Sequence, residues 1–422
     1  MPADAPDMPR GARIRVTIAL ILIYAFFAIM LNSVGTVILQ AIATLGVDAR
    51  GAAILEAFKD LPIAFVSFAV AAFLPRFGYR NAMIVALAMV AIGCAAMPWV
   101  PSFATTKLLF FLTGSAFALV KTATYSTIGL ITRDPRSHAA LTNLIEGLFM
   151  VGVLSGYWIF AAFIDPAHPA AHGWLNVYWP LMALALAAIV LLLFTPFDER
   201  GAIDPESLGP VDDVKAMLAL LARAAVLIFV IAAFVYVLIE QGVGSWLPTF
   251  NAEVLHLPQT MSVQAASLYA AALALGRVSA GPLIRRAGWL PVLLGCVAGI
   301  VLVVVVVVPM AEGLTARPTT WIGAPFATYA MPMIGLFLAP IYPTINSAIL
   351  SSLPRARHAA MTGLIVIFSA LGGTTGSFIT GHVFAAFGGT TAFRLILVPA
   401  ALLAILLVTL KRAMAPVSAA GR

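Results

Sequence analysis

Apolar tracts of twenty residues or more, parted by short polar breaks, run along almost the whole chain. Twelve are readable, at roughly 15–44, 50–75, 81–100, 105–131, 137–164, 174–196, 218–248, 260–284, 289–311, 320–352, 357–385 and 391–412. About 20 mostly apolar residues suffice for a helix to cross a bilayer, so each tract is a candidate span. Barrel strands would alternate apolar and polar residues over about ten positions, and runs such as VLVVVVVVPM in the ninth tract do not. The pattern predicts an all-α membrane protein with twelve transmembrane helices. One extended polar stretch, DERGAIDPESLGPVDDVK at 198–215, carries six acids and two prolines and reads as a linker. The expected organisation is a six-helix bundle at 1–197, a cytoplasmic linker at 198–217 and a second six-helix bundle at 218–422.

The two bundles are related. Residues 138–156 read HAALTNLIEGLFMVGVLSG and residues 358–376 read HAAMTGLIVIFSALGGTTG. At a constant offset of 220 they share His, two Ala, Thr, Leu, Ile and two Gly without a gap. Paired membrane repeats are how many transporters build a central site, so the repeat points to transport before any chemical motif is read. The loops agree. RFGY (76–79) follows the second span and RAGW (286–289) follows the eighth, each a tight basic glycine turn. ITRDPR precedes the first repeat copy and SSLPR the second. Proline stops the helix there, since it lacks the N–H and restricts its predecessor.

Composition supports the membrane reading: the chain is 62% hydrophobic and 10% charged, with mean hydropathy +1.04. The net charge of +7 invites a nucleic-acid reading, but its distribution argues otherwise. With the N-terminus in the cytoplasm, seventeen of the 24 Lys and Arg fall in cytoplasmic segments, four fall outside, and Lys59, Lys121 and Arg277 stay within the membrane. This positive-inside bias predicts that both termini are cytoplasmic. The short basic arm and long first helix predict no cleavable leader. Cys94 and Cys296, in the third and ninth spans, read as packing residues.

Twelve helices, a central cytoplasmic linker and basic glycine turns after the second and eighth spans resemble the major facilitator superfamily across nearly the whole chain. That resemblance implies two pseudo-symmetric six-helix bundles and a gating role for Arg76, Arg80 and Arg286. Pro75 stands where the family's loop usually has Asp before Arg76, so the acidic half of that contact is missing. VYVLIEQGVGSWLPTF (235–250), GRVSAGPLIRRAG (276–288) and IYPTINSAI (341–349) look most like the fucose-permease-type sugar porters.

Seven ionisable residues stand inside the spans, where each costs roughly 2.5–3.5 kcal/mol on insertion scales unless it finds a cavity or a partner. Glu56, Lys59 and Asp60 share one face of the second span. They form either a proton or substrate cluster or a salt-bridged patch near the outer surface. Lys121, at mid-depth in the fourth span, is expected to pair with Glu146 or Asp60 or to hold an anionic substrate. In the resembled porters that stretch carries an acid coupled to protons; the reversed sign here favours an anionic substrate. Glu146, whose repeat counterpart is Val366, is expected to pair with Lys121 or to titrate. Glu240 precedes the Gly-rich bend QGVGSW and either couples protons or holds the bent helix. Arg277 either contacts substrate, since Arg binds carboxylates bidentately, or clamps the fold. Asn32, Tyr125, Tyr236, Tyr342 and Asn346 supply the mix of aromatic and amide groups that suits sugar rings and other small polar solutes. Trp158, Trp174, Trp179, Trp246 and Trp321 lie toward span ends and read as interfacial anchors. The glycines of the fifth and eleventh spans read as close-packing positions.

No GxxxxGK[ST], CxxC or HExxH motif occurs, and no Ser/His/Asp grouping suggests hydrolysis. The expectation is therefore not an enzyme. It is a monomeric inner-membrane secondary transporter, working by alternating access without cofactor, metal or nucleic-acid partner. It takes up a small polar solute, sugar-like or organic-anionic, by proton symport. Glu56, Asp60, Glu146 and Glu240 are the candidate proton sites. A proton-antiport exporter of a drug or metabolite is the alternative in the same class; a channel or lipid-translocating protein is the alternative outside it.

Overall fold

A computed structural model describes residues 10–71, 74–132, 134–195, 210–354 and 357–414. Among them the secondary structure is entirely helical. Among the described residues, eleven helical runs are long and apolar enough to cross a membrane. The twelfth expected span, the second in order, appears as Ala49–Ala52 followed by Leu55–Ala71, which at 17 residues sits at the lower bound for spanning.

Several spans break where the chemistry of the side chains competes with the helix. The first runs as Arg10–Asn32 and Val34–Thr44, parted at Ser33. The Asn32 amide donates to the Ala28 carbonyl at 2.9 Å and the Ser33 hydroxyl to Met30 at 2.7 Å, local bonds that offer the backbone an alternative partner. The seventh runs as Ala224–Gly244 and Leu247–Glu253, bending through Ser245 and Trp246. The tenth is built from short pieces ending in Ile341–Ser351, with Pro332 and Pro340 at the junctions. The fourth (Phe103–Ile131), fifth (Pro135–Ala161), eighth (Gln259–Ala287), ninth (Trp289–Ala311) and eleventh (His358–Phe387) are unbroken. The twelfth runs as Gly389–Arg394 and Leu397–Met414.

The two basic turns share one backbone device. Gly78 of RFGY lies at φ 91° and Gly288 of RAGW at φ 80°, each immediately before the next span begins. A left-handed residue costs an L side chain roughly 1–2 kcal/mol, so glycine is required at both.

The chain forms two compact units. One comprises Met1–Val34, Ala43–Leu45 and Phe58–Pro210; the other comprises Gly35–Ile42, Gly46–Ala57 and Val211–Arg422. The division is therefore not a single cut at the linker. Residues 35–42 and 46–57, from the first and second spans, pack with the seventh and eleventh. Residues 196–209, most of the expected linker, lie outside the described residues, and Pro210–Leu221 is helical.

The repeat glycines set the packing within each unit. In the first, a Cβ on Gly152 would press on the Ala25 carbonyl and the Ala28 methyl of the first span, and Gly156 lies over Ile29. In the second, the counterparts Gly372 and Gly376 lie against the backbone carbonyls of Phe234 and Leu238 in the seventh span, with no room for a methyl. Lipid is as apolar as leucine, so close backbone approach does the work that burial does in water. Large apolar side chains such as Phe65, Ile92, Leu302 and Ile405 are exposed, which a hydrocarbon surround tolerates and water does not.

Two tryptophans correct the interfacial expectation. Trp174 and Trp246 are buried. Trp174 Nε1 donates to Thr44 Oγ1 at 3.1 Å, and Trp246 Nε1 donates to the Ser377 carbonyl and hydroxyl at 3.1 Å. A span-end position does not distinguish an anchor in the headgroup layer from a ring locked between helices.

Candidate functional site

Each unit carries a polar face built from its spans. In the first unit it rests on the fourth and fifth spans. Lys121 and Tyr125 are one turn apart on the fourth, and Glu146 stands on the fifth. The Tyr125 hydroxyl donates a short hydrogen bond to Glu146 Oε1. All three side chains are solvent-accessible although they sit within apolar spans. The expected direct pair between Lys121 and Glu146 is not formed: among the described residues no carboxylate comes within 4.0 Å of the Lys121 ammonium, which nevertheless lies in the field of Glu146. Tyr125 takes up the carboxylate instead.

Tyr24, from the first span, completes this face and was not among the residues expected from the sequence. It is 2% exposed, its ring meets Tyr125 edge-on at 6.4 Å and Phe149 at 5.8 Å, and its hydroxyl lies in the field of Glu146. The available clue was a phenol inside an apolar span, the same clue that singled out Tyr125. Asn32, also solvent-accessible, spends one amide proton within its own helix, on Ala28.

On the second span, Lys59 Nζ and Asp60 Oδ1 are 3.4 Å apart, with side chains only 6% and 11% exposed. The fourth span meets this point closely, because a Cβ on Gly114 would collide with the Lys59 carbonyl. Glu56 belongs to the second unit. It is fully buried and accepts a hydrogen bond from the Ser245 hydroxyl at 2.5 Å, at the bend of the seventh span. Gly35 makes that approach possible, lying against the Ser245 backbone.

The second unit's face is aromatic. The Tyr236 hydroxyl donates to Glu240 Oε1 at 2.9 Å, one turn along the seventh span. The Tyr236 ring stacks on Tyr342 at 5.3 Å and 21°, and Tyr342 shares a hydrogen bond with Ser369 at 2.8 Å. Tyr269 donates to the Glu240 carbonyl at 3.2 Å, just ahead of the bend. Arg277 is solvent-accessible and lies in the field around Tyr236. Asn346 stands one turn beyond Tyr342, its amide oxygen buried and without a partner among the described residues. Each unit thus holds one carboxylate by a tyrosine hydroxyl, across two spans in the first and within one span in the second.

The expected gating arginines diverge. Arg80 Nη2 donates to the Leu193 carbonyl at 2.5 Å and so caps the end of the sixth span, Tyr178–Leu193. Arg286 is exposed in the last turn of the eighth span. The Arg76 side chain lies outside the described residues. Asp134 caps the fifth span through Arg136 N at 2.9 Å, Ser137 N at 3.0 Å and Ser137 Oγ at 2.6 Å. These bonds, the Ser137 hydroxyl foremost, hold its carboxyl below the usual carboxylate range. Among the described residues no group of three His, Cys, Asp or Glu is placed to hold a metal.

A family model described as Major Facilitator Superfamily matches residues 16–377. No curated protein matches the chain. Solved structures share the fold at low identity. A bacterial homologue of the human lysosomal transporter Spinster, in an inward-facing, occupied conformation, superposes with TM-score 0.77 at 15% identity, covering 96% of this chain and 98% of its own. A D-xylose–proton symporter gives 0.74 at 14%, covering 93% and 97%. The E. coli fucose:proton symporter FucP gives 0.58 at 17%, covering 94% and 99%.

Proposed function

Because the chain belongs to the major facilitator superfamily and is a transporter of that fold, we propose that it carries a small polar solute, sugar-like or organic-anionic, across the inner membrane in symport with protons. The observation that carries this reading is the accessible Lys121 ammonium, which no carboxylate among the described residues neutralises by direct contact while Glu146 is held by Tyr125. An anion seated on Lys121 together with a proton on Glu146 leaves the local charge where it was. In a low-dielectric setting that favours binding the two together over binding either alone. Asn32 and Tyr125 in the first unit, and separately Arg277, Tyr236, Tyr342 and Asn346 in the second, offer donors, acceptors and ring faces of the kind a hydroxylated or carboxylated solute uses. Glu240, held by Tyr236, is the second proton site, and Glu56 and Asp60 are the further candidates on the second span. The protein works as a monomer by alternating access, its termini in the cytoplasm. The sugar–proton symporters that share the fold support proton coupling by precedent of architecture.

Uptake of labelled organic acids and sugars into proteoliposomes tests the reading. The expected result is saturable flux that an inward proton gradient accelerates. Glu146→Gln removes the acceleration while leaving solute counterflow intact. Flux that is non-saturable and indifferent to the gradient would point to a channel and sink the proposal.

A further inference from the structure

We propose that the flank of the second unit formed by the ninth and twelfth spans is a binding site for one anionic phospholipid. The two helices run antiparallel, and the start of the ninth meets the end of the twelfth, where Lys411 Nζ lies 5.4 Å over the Trp289 ring. Arg285 and Arg286 end the eighth span just before Trp289, and Arg412 follows Lys411. All four cations are exposed, and neither 281–296 nor 397–414 contains an acid. Trp289 and this cluster are the groups that occupy the headgroup layer, the ring fixing the Lys411 stem and the cations facing a phosphate.

A groove of about 460 Å³ lies farther along the same two spans, in their apolar part. Leu294, Ala298, Val301 and Val305 line one wall and Ala401 and Ala404 the other. The alanines make the hollow, since larger side chains there would fill it. From Leu294 to Val305 the helix rises about 16 Å, close to the hydrocarbon depth of one leaflet, about 15 Å. The groove therefore has the length of one acyl chain, and the cations on the same two-span flank have the sign that an anionic headgroup requires. A second copy of the chain is the poorer occupant. A two-fold contact on this face would set the same cations against each other at the same membrane depth.

Native mass spectrometry of the full-length protein in detergent, offered phosphatidylglycerol or phosphatidylcholine of identical acyl chains, tests the site. Phosphatidylglycerol is expected to be retained in preference. Lys411→Gln and Arg412→Gln are each expected to weaken that retention about fivefold, the effect of one cation near a lipid surface. Ala404→Phe, which fills the groove and spares the cations, is expected to weaken it as well. Should Ala404→Phe fail to fold, the two headgroup variants carry the test alone. Equal retention of the two lipids, undiminished retention in Lys411→Gln, or a lipid-free dimer that Ala404→Phe dissolves would each overturn the proposal.

Discussion

At the scale of single residues, the chain places its polar chemistry on tyrosine–carboxylate pairs. A hydrogen bond to a charged group contributes about 1.5–3 kcal/mol, so losing Lys121 as a donor to an anionic solute is expected to weaken binding at least about tenfold in Lys121→Ala. Equilibrium binding to the purified protein checks this, and an unchanged affinity would remove Lys121 from the site. Outside the membrane, Asp134 makes a pH-dependent contribution of definite sign. Its folded carboxyl lies below its unfolded value, so its stabilisation is present above the unfolded value and fades as pH falls through the folded one. Thermal melts of the wild type and Asp134→Ala are expected to differ at neutral pH and to converge in acid. A gap that widened in acid would contradict the assignment. Residue types and their presence in apolar spans were legible in the sequence. The partner chosen by Glu146 was not: reach along a helix can be counted from residue spacing, whereas competition between a lysine and a tyrosine on a neighbouring helix depends on how the two helices are rotated.

At the scale of elements, glycine decides which helices touch. Gly376→Ala forces a methyl into the Leu238 carbonyl between the eleventh and seventh spans. Overpacking of this kind costs about 1–3 kcal/mol, to be read as a lowered melting temperature in detergent. Gly147→Ala, inside the fifth span with open space around it, is expected not to lower the melting temperature and serves as the control. Gly288→Ala is expected to cost roughly 1–2 kcal/mol for a different reason, the left-handed φ of the turn. The spans themselves, their stops at proline and their tight glycine turns all follow from local chemistry. The interruptions at Ser33 and within the tenth span were less visible, because the hydrophobic pattern runs on unbroken across them.

At the scale of the whole molecule, the repeat and the charge distribution make a claim about orientation. A fluorescent protein fused to the C-terminus is expected to fold and fluoresce, as it does only on the cytoplasmic side; a dark fusion that is nonetheless expressed would reverse the topology. The offset of 220 announced two related halves. It did not announce that residues 35–42 and 46–57 would pack with the second compact unit, nor that Glu56 would be buried there against Ser245 while Lys59 and Asp60 pair in the first. All three nonetheless stand on one helix, Leu55–Ala71.

What the sequence determined by itself is everything that depends on one residue or one helix at a time: twelve apolar segments, the breaks between them, the tight glycine turns, the bias of basic charge and the list of groups too polar for lipid. These follow from transfer free energies and backbone sterics, which act locally. What only the tertiary structure decided is which of those groups meet. Tyr24 joins Tyr125 and Glu146, Tyr342 stacks on Tyr236, Trp174 and Trp246 turn inward, and Lys121 stands open to solvent. Each outcome depends on the rotation and depth of one helix against another, and those are set by close packing over many residues at once. Hydropathy along the chain carries almost no record of it.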